Sequence, residues 1–224
     1  MKTAILVDGS FFIKRYRFLY RDAHNRSPEQ VVRDLYAGLL RDLKAVNKRG
    51  QQRELYRILY YDCPPLTKRV QNPVSKKGFD FSNTPEAKFR VEFHEQLKRS
   101  RKIALRLGRL SDDGRWSIVP KRTKDLLNRK ITIADLGEAD VRYEARQKGV
   151  DMKIGLDIAA LAYKKSVDQI ILIAGDSDFV PAAKLARREG IDFVLDPMWN
   201  RINPDLHEHI DGLCSQWPKP ENIL

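Results

Sequence analysis

The sequence predicts an α/β fold with a central, mainly parallel sheet and a basic insertion that contributes a helix and a hairpin. Four apolar runs of strand length each end in an aspartate, at 3–8, 54–62, 169–176 and 191–196. Segments with helical periodicity separate these runs. Strands that alternate with helices are typical of βαβ units, and these units build parallel sheets.

The first strand, TAILVD at 3–8, precedes a helix predicted over 28–47. The apolar residues of this helix are spaced four apart and so share one face; they are Val31, Leu35, Leu39 and Leu43. Ser27 is expected as the N-cap and Pro28 at the first helical position, where a missing N–H group is tolerated. The β-rich run ELYRILYYD at 54–62 is the second predicted strand.

The middle of the chain predicts the basic insertion, roughly 64–147. A helix is expected over 84–104, where it ends in the cluster KRSRK. IALRLGRL at 103–110 and RWSIV at 115–119 predict a hairpin across SDDG. The polar segment 121–147 shows no periodicity that indicates a helix or a strand.

The pattern sharpens after Gly149. A helix is predicted over VDMKIGLDIAALAYKK, followed by a buried strand at 169–176. A further helix covers 179–189, with Gly190 as the residue that closes it. IDFVLD at 191–196 is the last predicted strand.

The chain of 224 residues is long enough for one domain that needs no disulfide bonds to stabilise its core. We expect that domain over 1–212 and a loosely attached tail over 213–224, which contains two prolines. Cys63 and Cys214 lie outside any CxxC or Cys/His pattern and predict free thiols in a reducing compartment. Since no apolar run reaches the length of a membrane span, we expect a cytoplasmic protein without a membrane partner.

Positive charge is concentrated in the middle of the chain. The net charge is +12; residues 64–130 carry 18 Lys and Arg against 7 Asp and Glu, whereas residues 131–224 carry 11 against 16. A positive surface beside an acidic pocket suits a polyanion held next to a metal site, although solvated surface charge is the simpler alternative. The expected phosphate-binding cluster comprises Lys98, Arg99, Arg101 and Lys102.

Several common motifs are absent from the sequence. It has no GxxxxGK[ST] loop, no GxGxxG fingerprint and no nucleophile elbow. His207 and His209 form an HxH without Cys or Glu at zinc spacing and are expected to be exposed. The tryptophans and the pair Tyr60 and Tyr61 are expected in the core or at its edge, because no aromatic ladder for base stacking is visible.

Carboxylates collect where the predicted strands end. Asp8 ends the first strand, and Asp176 and Asp178 follow a later one in GDSD. The carboxyl ends of parallel strands meet at one edge of a sheet, where open α/β folds bind ligands. Like charges there repel unless a cation separates them, and carboxylates are ligands that Mg²⁺ and Mn²⁺ prefer. Asp62 and Asp196, which precede Cys-Pro and Pro, are interpreted as turn formers.

Asp151 starts the helix that follows Gly149, and Asp157 lies within it. Six residues correspond to about 600° of helix, so the two side chains lie on different faces if both are helical. Asp151 would turn toward the pocket if it were the N-cap. We expect both carboxylates near the site.

Three blocks of the sequence resemble a known family. They are VDGSFF at the N-terminus, KGVDMKIGLDIAALAY at 148–163 and ILIAGDSDFVPAAKLARREGIDFVL at 171–195. In order and spacing these blocks are similar to the NYN domain, specifically to its LabA-like (DUF88) branch within the PIN-like nuclease superfamily. The resemblance implies a PIN-like three-layer sandwich with an acidic pocket, and a nuclease that depends on Mg²⁺ or Mn²⁺ and acts mostly on RNA.

By motif position, the resemblance implies five catalytic carboxylates, namely Asp8, Asp151, Asp157, Asp176 and Asp178. The implied metal ligands are Asp8, Asp151, Asp176 and Asp178. Lys148 is implied to contact phosphate, and Ser10 and Ser177 to contact phosphate or metal-bound water. The chain departs from the family pattern at Phe11, where many relatives carry Asn.

The sequence therefore predicts a Mg²⁺- or Mn²⁺-dependent ribonuclease that hydrolyses phosphodiester bonds in single-stranded or structured RNA. The alternative is a non-catalytic RNA-binding or regulatory module that keeps the acidic pocket, and Phe11 is its main support. A phosphatase or Toprim-type enzyme is less well supported, because VDGSFF offers one Asp instead of DxDxT and the first strand does not end in Glu. A homo-oligomer, a DNA substrate and endo- or exonuclease action all stay open.

Overall fold

The structure, a computed structural model, describes residues 1–45, 53–111 and 113–220. In chain order the strands are β1 (Lys2–Asp8), β2 (Glu54–Asp62), β3 (Arg69–Gln71), β4 (Gly78–Asp80), β5 (Ile103–Leu107), β6 (Arg109–Ser111), β7 (Trp116–Ile118), β8 (Val141–Tyr143), β9 (Arg146–Lys148), β10 (Gln169–Ile173), β11 (Asp192–Asp196) and β12 (Gly212–Leu213). The helices are α1 (Gly9–Leu19), α2 (Pro28–Ala45), α3 (Pro85–Arg99), α4 (Pro120–Leu127), α5 (Val150–Tyr163), α6 (Val180–Arg188) and α7 (Pro204–Glu208).

Six strands pair in parallel to form the central sheet, in the order β12–β11–β10–β1–β2–β5. The strand β1 lies between β2 and β10, with Asp8 opposite Tyr61 and Val7 opposite Ile173. The sheet grows outward in both directions from β1. The boundary between β1 and β10 is therefore the switch point, where the loops after the strands diverge and leave a crevice.

Both faces of the sheet are covered by helices. Ile5 and Val7 face a core formed with α1, α2 and α3, whereas Ala4 and Leu6 face a second core formed with α5, α6 and α7. Successive strand residues point to opposite faces, so a strand buried on both sides is apolar throughout. The predicted α/β sandwich of three layers with a parallel central sheet is confirmed.

The helix α2 begins where the sequence predicts. The Ser27 Oγ accepts a hydrogen bond from the Gln30 backbone N–H at 3.2 Å, and the Gln30 Oε1 accepts one from the Ser27 N–H at 2.8 Å. These reciprocal bonds form a capping box, which satisfies two backbone donors of the first turn. All four apolar residues of the predicted stripe are buried. The predicted end of this helix at 47 lies outside the described residues.

Two predictions for the middle of the chain were wrong. The strand β5 extends the parallel sheet beside β2, and the expected hairpin does not form; instead β6 pairs with β9 and β7 with β8. Gly108 permits the turn between β5 and β6, because a Cβ there would lie 2.8 Å from Val150 and 2.9 Å from the Lys148 carbonyl oxygen. The helix predicted over 84–104 ends at Arg99, since the backbone of Ser100 is extended.

The segment 213–217 is packed against the domain, so the expectation that it is loosely attached was wrong. Trp217 is 3% exposed, and its indole N–H donates to Asp196 Oδ2 at 2.5 Å. The Ser215 hydroxyl donates to the other oxygen of Asp196 at 2.7 Å. Burial and, next, the charge of Asp196 raise the pKa of the neighbouring Asp42 carboxyl group.

The expectations for two pairs of residues are confirmed. Cys63 and Cys214 are free thiols. Tyr60 and Tyr61 are buried in the core. Within the part of the chain that the structure describes, no helix combines the length and the apolar character needed to cross a bilayer.

We predict opposite effects for two glycine-to-alanine substitutions in helices. A methyl group at Gly38 on α2 would lie 2.3 Å from the Trp217 indole, so Gly38→Ala should lower the free energy of unfolding. Overpacking of this kind typically destabilises by about 1–3 kcal/mol. At Gly155 on α5 nothing lies within 4 Å of the added Cβ. Gly155→Ala should therefore raise the free energy of unfolding, by up to about 1 kcal/mol.

Urea denaturation of the wild type and both variants measures these effects. A Gly38→Ala protein as stable as the wild type would contradict the packing of Trp217 against α2.

Candidate active site

The crevice at the end of β1 contains Asp8. This residue is the N-cap of α1, and its Oδ1 accepts hydrogen bonds from the backbone N–H groups of Ser10 at 3.0 Å and Phe11 at 3.1 Å. Burial raises its pKa to about 6; the charge of Asp151 adds to this effect, and the two backbone hydrogen bonds oppose it. The fold thus fixes a carboxylate whose ionisation its surroundings disfavour.

The loop after β10 supplies Asp176 and Asp178. The Asp176 carboxylate accepts a hydrogen bond from the Asp178 backbone N–H at 3.1 Å and begins the 3₁₀ turn Ser177–Phe179, which leads into α6. Both aspartate residues are exposed. Because β10 is parallel to β1 and pairs with it, this loop lies at the same edge of the sheet as Asp8.

Asp151 enters this edge from the first turn of α5. The N-cap is Gly149, which has a left-handed φ of 79°, so Asp151 is the second helical residue and not the N-cap. A carboxylate in the first turn is favoured by the helix dipole. Burial and then the charges of Asp176 and Asp178 raise the pKa of Asp151. The carboxylates from β1, β10 and α5 therefore interact with one another.

The donor set suits a hard divalent cation. None of the four carboxylates at this edge forms an ion pair with a Lys, Arg or His side chain of the described residues; they are Asp8, Asp151, Asp176 and Asp178. In the same part of the chain, no three His, Cys, Asp or Glu side chains stand close enough to make a ready-formed metal cluster. Mg²⁺ keeps several of its waters and needs few direct protein ligands. The residues fit such an ion in chemistry and charge.

Asp157 lies apart from these four carboxylates. Its Oδ2 accepts a hydrogen bond from the Tyr61 hydroxyl at 2.8 Å, and its Oδ1 pairs with Arg106 at 3.0 Å. Asp151 and Asp157 are both within α5, on different faces as their spacing predicts. Because Arg106 already neutralises Asp157, its catalytic role stays a prediction.

The expected basic cluster lies at the opposite edge of the sheet. Its residues lie in the last turn of α3 and in the link to Ile103, the first residue of β5, whereas Asp8 and Asp176 lie where strands end. The Lys102 ammonium donates to the carbonyl of Leu55 near the start of β2, and Lys98 pairs with Glu95 at 2.6 Å. The cluster is therefore not brought to the crevice; its residues are Lys98, Arg99, Arg101 and Lys102.

A different cationic surface leads into the crevice. We call it the basic ribbon; it is the antiparallel pair of β6 and β9, in which Arg109 lies opposite Lys148 and Ser111 opposite Arg146. All three cations are exposed. The strand β9 continues through Gly149 into the helix that carries Asp151. Of the predicted phosphate contacts, Lys148 thus lies on the ribbon.

A buried polar network lies next to Asp8, and the sequence did not indicate it. Asp62, the last residue of β2, is fully buried and accepts hydrogen bonds from the Arg90 guanidinium and from the Cys63 backbone N–H at 2.8 Å. His94 Nε2 lies 2.9 Å from the same carboxylate. Burial would raise the pKa of Asp62, but the hydrogen bond with His94 and the charge of Arg90 hold it below the ordinary value. Asp62 is therefore ionised and contributes to the raised pKa of Asp8.

A cavity of about 720 Å³ opens beside Asp8 and Asp176. Ser10 and Ser177 line it, as the predicted contacts require. Lys14 and Arg201 also line it and add positive charge, and neither was expected at the site. The cavity thus combines carboxylates, hydroxyl groups and cations, which suits a phosphate-containing ligand better than an apolar one.

Residues 118–201 match the family model of the NYN domain. This segment contains Asp151, Asp157, Asp176 and Asp178, whereas Asp8 lies outside it. The match begins within the segment that the sequence predicts as an insertion. Since the NYN domain belongs to the PIN-like nuclease superfamily, the match supports a nuclease-related activity.

Two further proteins are similar to parts or all of the chain. The uncharacterized protein y4oD of Sinorhizobium fredii is 28% identical over 98 residues, and the match covers 40% of this chain and 45% of that protein. A protein of unknown function from Vibrio parahaemolyticus, known from its crystal structure, aligns over 95% of this chain and 90% of its own, with 18% identity and a TM-score of 0.47. The chain thus spans less than half of the curated relative.

We predict that Asp8→Asn stabilises the metal-free protein at neutral pH. The folded-state pKa of Asp8, about 6, lies above the ordinary 3.8, so the folded protein loses stability as the pH rises through this window. An asparagine keeps the N-cap acceptor and removes the charge. The free energy of unfolding at about pH 7.5 should rise by about 1–3 kcal/mol, and the gain should vanish below about pH 4.

Urea denaturation in EDTA at several pH values tests this prediction. Asp157→Asn is the matched control, and it should not stabilise the protein because Arg106 pairs with that carboxylate. If the difference between Asp8→Asn and the wild type were the same at pH 4 and pH 7.5, Asp8 would not be electrostatically strained.

Proposed function

We propose that the protein is a nuclease that depends on Mg²⁺ or Mn²⁺ and hydrolyses phosphodiester bonds in RNA. The observation that carries the proposal is the group of four carboxylates at the switch point of the parallel sheet, which interact with one another and have no ion-pair partner among the described residues. The match to the NYN domain, which contains three of the four, supports the nuclease class.

Asp8, Asp151 and Asp176 would hold the ion, and Asp178 would contribute through its waters. The two backbone N–H groups occupy Oδ1 of Asp8, which leaves Oδ2 as the oxygen for the ion. A bound Mg²⁺ or Mn²⁺ supplies charge neutralisation at the phosphate and a water of lowered pKa. The chain's own contribution is to orient the carboxylates, with Asp62 fixing the adjacent strand end.

The basic ribbon would bind the nucleic acid backbone. The ribbon would contact phosphates through Arg109, Arg146 and Lys148 without reading sequence. Because β9 runs toward Asp151, a nucleic acid backbone bound along the ribbon would be directed to the carboxylates. This assignment replaces the cluster at 98–102, which the fold separates from the carboxylates. Lys148 keeps the role implied by the resemblance.

The second candidate is an RNA-binding module that does not cleave. Two observations favour it: no ready-formed cluster of three metal ligands is found among the described residues, and Phe11 stands where many relatives carry Asn. In that case the cavity and the basic ribbon would still bind RNA, and added metal would not lead to cleavage.

Cleavage of labelled single-stranded RNA with Mn²⁺, Mg²⁺ or EDTA separates the two functions. We expect cleavage with either metal, none in EDTA, and a loss of about 100-fold or more in Asp176→Asn, because that variant removes a ligand and its charge. Glu92→Gln, which removes an exposed carboxylate on α3, should cleave like the wild type. A DNA strand of the same sequence tests the preference for RNA.

Two outcomes of this experiment count against the nuclease. Binding without cleavage in every metal would favour the second candidate. Cleavage that survives Asp176→Asn would show that the activity comes from elsewhere.

We also predict that the double variant Arg109→Ala/Lys148→Ala binds RNA less tightly and with a weaker salt dependence. Each lost phosphate contact should lower the slope of log Kd against log salt by about 1. Lys164→Ala/Arg188→Ala is the matched control, since it removes two exposed cations at the opposite edge of the sheet.

Fluorescence anisotropy with labelled RNA at several salt concentrations, in the presence of EDTA, measures both variants. Equal slopes of log Kd against log salt in the ribbon variant and its control would show that the basic ribbon is not part of the binding surface.

A further inference from the structure

The aromatic ring of Phe11 forms an apolar wall of the cavity beside the carboxylates. It lies directly against Gly175, where a Cβ would be 2.5 Å from a ring carbon. The ring is half-buried and packs on the core below α1. Gly175 therefore allows an aromatic side chain to line the cavity together with Asp8 and Asp176, which a larger residue at 175 would block.

Two cations line the same cavity and have no ion-pair partner among the described residues. Lys14 follows Phe11 by three residues on α1, so the two side chains lie on one helical face. Arg201 comes from the loop after β11. Both residues are exposed and line one cavity with Asp8 and Asp176, yet no ion pair joins them to these carboxylates. An anionic group bound between Lys14 and Arg201 would neutralise these two cations.

The loop that carries Arg201 is held in a strained conformation. Met198 and Trp199 adopt left-handed φ values of 47° and 61°, which non-glycine residues rarely do. The Arg15 guanidinium donates twice to the Met198 carbonyl, at 3.1 and 2.7 Å, and the Trp199 indole donates to the Trp217 carbonyl at 2.8 Å. This bracing presents Asn200 at the cavity, where its amide nitrogen would lie 3.2 Å from a Cβ at position 175.

We propose that this part of the cavity is a nucleotide subsite in which an unpaired base lies on the Phe11 ring. Asn200 would hydrogen-bond an edge of the nucleotide, and Lys14 and Arg201 would bind the phosphate next to the one that is cleaved. The volume of about 720 Å³ lies within the range of small-molecule sites. The proposal rests on the proposed function, because it places a nucleotide beside the same carboxylates.

Phe11 would then select for nucleotides whose base is unstacked. Base stacking on an aromatic side chain strengthens binding about 5- to 150-fold, whatever the base. The departure from the family pattern at this position would thus give the site a new contact.

The test compares binding of two labelled strands of ten nucleotides, oligo(A) and an abasic strand with the same backbone. Anisotropy is measured in Ca²⁺, and each strand is confirmed intact afterwards. We expect the wild type to prefer oligo(A) by about tenfold. Phe11→Leu, which keeps an apolar side chain for the core, should lose that preference without weakening binding of the abasic strand. Phe11→Tyr should restore it.

Two further substitutions separate the subsite from a general effect. Phe18→Ala removes an exposed ring on the same helix outside the cavity and should keep the preference. Lys14→Ala/Arg201→Ala should weaken binding of both strands about equally. If Phe11→Leu weakens both strands alike, or neither, the base contact is refuted.

These results are independent of cleavage. A preference for oligo(A) that depends on Phe11, in a protein that never cleaves, would retain the subsite and reject the nuclease. Metal-dependent cleavage with no such preference would retain the nuclease and reject the subsite.

Discussion

The parallel pairing of β1 with β10 is the constraint on which the site depends. The apolar residues Ala4–Val7 and Ile170–Ile173 are buried in the sheet, and the two strands run side by side in one direction. Their carboxyl ends then bring Asp8 and the loop with Asp176 to one edge, and α5 adds Asp151. Hydrophobic burial thus brings together like charges that would otherwise separate, and a divalent cation is the simplest group that relieves their repulsion.

Two buried carboxylates fix the elements around this edge of the sheet through their hydrogen bonds. Asp62 links the end of β2 to Arg90 and His94 on α3. A shift of β2 would therefore leave a charged group in the core without its partner. Asp196 accepts hydrogen bonds from the strained loop after β11 and from the segment that carries Trp217. Breaking a buried network of this kind typically costs more than any single exposed ion pair contributes. Asp62 in the core therefore has charged or polar partners, whereas the four crevice carboxylates form no ion pair with the described residues.

The sequence was informative where the physical cause is local. Strands buried on both faces are continuous apolar runs, and α2 shows both its capping box and its apolar stripe, so these elements were predicted correctly. The strands β6 and β9 consist of three residues each, mostly polar, and they pair across more than thirty residues, so no local pattern indicates them. The partners of Asp62, which are Arg90 and His94, lie 28 and 32 residues away in sequence, so no local pattern indicates them either. Trp217 packs against Gly38, which is far away in sequence, so the sequence around the tail did not indicate this contact.

The carboxylates at the switch point are proposed to hold a divalent cation. Crystals of the wild type soaked in Mn²⁺, with diffraction measured above and below the manganese absorption edge, test this proposal. We expect an anomalous peak within ligand distance of Asp8, Asp151 or Asp176, and its loss in Asp176→Asn. Saturated crystals with no peak at this edge, or with manganese bound only elsewhere, would contradict it.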